Sequence, residues 1–125
     1  MKTLLLWIND EEHPVTFNIS RYGNNTLCLD IMTHINGTPE LLMNLTTEFN
    51  TRYWANHTFI DTKTNGEDIV RWLADMGLGV PTGRKEINNG HSYPEVAFNM
   101  NMLRKHNGID EIIEYDGDYK PMVKE

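Results

Sequence analysis

The sequence predicts an α+β domain: an antiparallel meander sheet of five or six strands with one main amphipathic helix, about residues 65–76, packed on one face. Three observations lead there. Apolar residues alternate with polar ones through the first half, a single stripe of 3.6-residue period follows, and turn-forming pairs recur at short intervals. Strands joined by short connections pair antiparallel with their neighbours, and a helix with one apolar face must bury it against the layer they form.

The elements follow in order. Leu4 to Ile8 is an apolar run within a first strand, Thr3 to Ile8. In the second strand Val15, Phe17 and Ile19 share one face, with Thr16, Asn18 and Ser20 on the other. Leu27, Leu29 and Ile31 repeat the pattern in the third, against Cys28 and Asp30. Tyr22-Gly23-Asn24-Asn25 and Asn36-Gly37 supply residues that tolerate positive φ, so turns are expected there, the second leading to a strand with Leu41, Met43 and Leu45 inward. The opposite face of this meander is expected to be wet. Thr46 to His57 reads as a loop or short irregular helix whose aromatics Phe49, Tyr53 and Trp54 fold back as a lid over a core edge. Phe59 to Asp61 is a short strand.

The helix is argued from its stripe. Ile69, Trp72, Leu73 and Met76 fall at i, i+3, i+4 and i+7, while Glu67, Asp68, Arg71 and Asp75 face away. Thr64 and Glu67 have capping-box spacing, which starts the helix near Asn65. Gly77 suits a left-handed stop, with Leu78 folding back on Leu73 as in a Schellman ending, and Pro81 forbids continuation. Tyr93 to Asn99 is a further strand, which Pro94 restricts to an edge or a strand start. Met100 to His106 is expected to form a helical turn. Residues 1–105 form one domain, and 106–125 an acidic C-terminal extension, partly helical or frayed.

The chain has 125 residues, with 11 Lys and Arg against 18 Asp and Glu, a net charge of −7 that argues against nucleic acid as a direct ligand. The excess is concentrated in Asp110, Glu111, Glu114, Asp116 and Asp118, a segment without Lys or Arg. Such a cluster can imitate phosphates in a basic groove, although a solvated terminal helix explains it as well. A single cysteine, Cys28, excludes an internal disulfide and fits a reducing setting. The apolar run at the start is too short for a signal-peptide core or a membrane span, so a cytoplasmic location is expected.

No residue pattern requires a cofactor. His13, His34, His57, His91 and His106 lack metal-ligand spacing and read as surface or loop residues, so no metal is expected. Gly77 to Lys85 is glycine-rich, but it follows a helix instead of preceding one. It reads as a helix-to-strand connection and not as a phosphate cradle. Asp61 fits an Asx-type turn. No catalytic constellation is legible, and no catalytic residue is assigned.

Arg21-Tyr22 with Leu27 and Leu29, then Phe59-Ile60-Asp61-Thr62 with Asn65, then Leu78-Gly79-x-Pro81-Thr82-Gly83-Arg84 with Tyr93-Pro94 and Phe98-Asn99 appear together in this order. Over Val15 to Asn99 the chain resembles an uncharacterised family of domains of unknown function, small proteins carried on bacterial plasmids, phages and integrative elements. The Pro-Thr-Gly-Arg stretch followed by Tyr-Pro is the most specific part. Asn25-Thr26, where an Asn-Gly type turn is expected, and the 26 residues after Asn99 depart from the pattern.

The resemblance implies a mobile-element setting and no reaction. The function expected is therefore a non-catalytic accessory protein that binds a host or element-encoded protein and inhibits a defence or nucleic-acid enzyme. The alternative is a small-ligand-binding or enzymatic domain using a helix–sheet cleft. Asp61, Arg84, Tyr93, Asp110, Glu111 and Glu114 are the candidate interaction residues.

Overall fold

The computed structural model describes residues 3–49 and 54–106. Asp110, Glu111, Glu114, Tyr53 and the expected acidic extension beyond His106 lie outside them. The elements are β1 (Leu4–Ile8), β2 (Glu11–Arg21), β3 (Leu27–Ile35), β4 (Thr38–Asn44), β5 (Thr46–Thr47), β6 (His57–Ile60), α1 (Thr62–Asn65), α2 (Asp68–Asp75), β7 (Gly79–Asn88), β8 (His91–Phe98) and α3 (Met100–Lys105).

The fold is α+β, but the single meander with one main helix is corrected, among the described residues, to two four-stranded antiparallel sheets and three short helices. The first sheet runs β1-β2-β3-β4 and the second β5-β6-β8-β7. Leu45 explains the division. Its N–H donates to Leu29 O at 3.0 Å while its carbonyl accepts from Asp61 N at 2.9 Å, so this fully buried residue bonds to both sheets as the chain passes from one to the other. The Thr58 hydroxyl adds a second tie, donating to Leu27 O at 2.9 Å.

The alternating residues of β2 and β3 behave as their period requires: Val15, Phe17, Ile19, Leu27, Leu29 and Ile31 are all buried in one core. Ile60, Val96 and Phe98 reach it from the second sheet, Ile69 and Leu73 from α2, Met100 and Leu103 from α3. Strand β4 departs from expectation. Ile31 faces Met43 but Met32 faces Leu41, so β4 carries one extra residue, Leu42. One added residue reverses the side-chain alternation beyond it, and Leu41 points outward, half exposed.

The expected capping box is replaced by a different start. Asp61, not Thr64, is the N-cap, its carboxylate accepting from Thr64 N at 3.2 Å. Gly66 at φ 85° ends α1 after one turn, and α2 begins at Asp68. The helix end matches the Schellman pattern: Gly77 has φ 71°, its N–H donates to Ala74 O, and Leu78 N donates to Leu73 O at 2.9 Å. Met76 stands at the C-cap and is partly exposed, outside the buried stripe. The Trp72 indole leans across to β1 and donates to Leu5 O at 3.0 Å.

Pro94 lies in a strand with neighbours on both sides, yet β6 pairs only with Glu95, Val96 and Ala97. The proline sits just past that ladder, where its missing N–H removes no bond.

Candidate functional site

The segment Gly77 to Lys85, expected to be a connection, is strand β7 from Gly79 onward. It forms a hairpin with β8 through Asn89-Gly90, both at positive φ. The ladder is interrupted. Pro81 faces Val96 and Lys85 faces Pro94, so three residues, Thr82, Gly83 and Arg84, stand opposite Glu95 alone. Gly83, at φ 92°, makes the detour sterically possible.

The bulge encloses a charge. Glu95 is fully buried, an uncommon place for a carboxylate unless it is paired. The Thr82 hydroxyl donates to Oε1 at 2.7 Å, and His57 Nδ1, on the neighbouring β6, lies 3.2 Å from the same oxygen. Arg84 Nη1 is 3.2 Å from Oε2. Burial alone would raise the Glu95 pKa, but the His57 hydrogen bond, the Thr82 hydroxyl and the Arg84 charge outweigh it and hold the carboxyl below the ordinary glutamate range. Glu95 is therefore an anion at neutral pH. Among the described residues Oε2 accepts no hydrogen bond, and its contact with Arg84 is an ion pair without hydrogen-bond geometry. His57 is buried, correcting its reading as a surface or loop residue, and its Nε2 has no hydrogen-bond partner among the described residues. His106 is buried as well.

A pocket of about 190 Å³ adjoins the bulge, lined by Pro81, Arg84, Lys85, Ser92, Pro94 and Glu95, with Glu67 from the turn before α2. Of the three polar groups expected in a helix–sheet cleft, Arg84 lines this pocket. Asp61 is engaged as the α1 cap. Tyr93 joins an aromatic row on the outer face of the second sheet, its ring 5.2 Å from Phe49 and 4.6 Å from His91, while the His91 imidazole is 2.9 Å from the Thr62 hydroxyl. Phe49 also meets Phe59 edge-on at 5.5 Å, so this aromatic does fold back over the sheet. Trp54 is partly exposed.

Glu95 was not visible as a site residue in the sequence. The signal lay in the two motif halves: a tight Asn-Gly turn between Pro81-Thr82-Gly83-Arg84 and Tyr93-Pro94 lays them side by side, with the next residue, Glu95, between them.

A second surface has the opposite character. On the outer face of the first sheet Leu5 pairs with Pro14, Thr16 with Met32, and Met32 with Leu41. Leu5 is 49% exposed, Trp7 65% and Leu41 55%, on the face expected to be wet.

Among the described residues no group of three His, Cys, Asp or Glu side chains is placed to hold a metal, and no helix is long and apolar enough to cross a membrane. Comparison with curated proteins and with solved structures finds no significant match. A family model does match, over residues 16–115, spanning both motif halves and the bulge. The chain belongs to the family described as domain of unknown function DUF4313.

Proposed function

We propose that this protein is a non-catalytic accessory of a bacterial mobile element that docks on another protein through the outer face of its first sheet. The observation that carries the reading is the exposure of Leu5 and Trp7 side by side on β1, and of Leu41 across the same face on β4. An apolar face left open on a small domain marks an interaction surface more often than it marks chance exposure. Its rim carries an acid, Glu12, opposite Trp7. With a net charge of −7, such a surface suits a partner whose apolar patch is bordered by Lys and Arg, as in the groove of a nucleic-acid enzyme of the host.

The test is affinity capture from host cells with the tagged protein and with the Trp7→Ser, Leu41→Ser double variant. A partner retained by the first and lost by the second, at unchanged melting temperature, supports docking here. Equal retention by both, or no partner together with turnover of a small molecule by the purified protein, overturns it.

A further inference from the structure

The bulge of β7 places one oxygen of a buried carboxylate behind a single replaceable group. Oε1 of Glu95 is engaged by Thr82 and His57, two contacts that come from ordered strands. Among the described residues Oε2 accepts no hydrogen bond and is ion-paired with the Arg84 guanidinium, and Arg84 is a long side chain, 52% exposed, on an edge strand. The pair lacks the forked hydrogen bonding that makes an arginine–carboxylate contact strong. Arg84 and Glu95 both line the pocket of about 190 Å³, and its wall carries a second carboxylate, Glu67.

Lys85 on that wall opposes the addition of a further cation, so entry by exchange is favoured over entry beside Arg84. Exchange keeps the charge count constant. A planar guanidinium arriving from outside can align with Oε2 in a way that Arg84, tethered two residues from Thr82, does not.

The geometry points to Glu95 as a socket for a guanidinium group, an arginine side chain of a protein partner, with Arg84 as the resting occupant that it displaces. The owner of that arginine rests on the reading that this protein docks on another; the socket lies in the β7–β8 hairpin of the second sheet and not on the outer face of the first, and it is tested without a partner.

The probe is N-acetyl-L-arginine amide, with N-acetyl-L-lysine amide as the point-charge control, titrated against the full chain by NMR. The signals followed are the Glu95 side-chain carboxyl carbon and the Arg84 Nε–H. Saturable movement of both with the arginine probe, and weaker movement with the lysine probe, is expected. Removing the tethered competitor in Arg84→Met should tighten arginine-probe binding about tenfold or more, and Glu95→Gln should abolish it. Where Glu95→Gln fails to fold, Arg84→Met decides. No saturable binding by Arg84→Met, or equal response to both probes, overturns the socket. Probe binding does not involve Trp7, so its failure leaves the docking surface standing. Loss of capture with probe binding intact strikes the docking surface alone.

Discussion

Glu95 sets the acid response of the molecule. Its folded pKa lies below the ordinary glutamate value, so over the interval between the two the unfolded chain binds more protons, and stability rises with pH. The contribution is complete above the ordinary value and is lost as pH falls through the folded one. Glu95→Gln should flatten the acid limb of a melting-temperature profile, and an unchanged limb would show that the pairing contributes nothing. Asp30 has the reverse sign: burial raises its pKa, so it weakens the fold above the ordinary aspartate value, and Asp30→Asn should raise the melting temperature at neutral pH. Gly79 shows a third constraint. A Cβ there would lie 2.7 Å from Val96 Cγ1 and 3.1 Å from Ala97 O, so Gly79→Ala should cost about 1–3 kcal/mol in denaturant unfolding.

Individual elements differ in how much of themselves they write into the sequence. Strands β2 and β3 were legible because each buries one face, and period two survives from Val15 to Ile31. The stop of α2 was legible because Gly77 must adopt a conformation that few residues share. Strand β7 was not. Gly79, Pro81, Gly83, Arg84 and Lys85 show no alternation, since the strand is an edge that bulges and most of its side chains meet solvent. The start of the helical region was misplaced because Thr64 and Asp61 both suit a cap, and the backbone break at Gly66 decides for Asp61. Asp61→Ala should therefore cost about 1 kcal/mol by loss of the cap, read as a shift of the urea midpoint. If Thr64→Ala is the costlier change, the cap has been assigned to the wrong residue.

Taken whole, the protein separates what holds it together from what it shows to others. Phe98 is fully buried where the second sheet meets the core, and Phe98→Ala should destabilise by about 3–5 kcal/mol. Trp7→Ser, on the outer face, should leave the unfolding midpoint nearly unchanged. If both changes are equally damaging, Trp7 belongs to the core's support and not to a free surface. The division into two sheets was not legible, because it depends on β8 pairing with β6 across some 35 residues of intervening chain. The candidate site shared that fate: Glu95 looks like any surface carboxylate until the hairpin folds. The two bulges also differ in parity. The single extra residue in β4 turns Leu41 to the other side, whereas the detour in β7 adds an even number and leaves every inward residue inward. A β7 shortened by Thr82 and Gly83 would thus run in frame against β8 with the same core. The architecture has no use for those two residues, which makes the caging of one carboxylate their reason to be there.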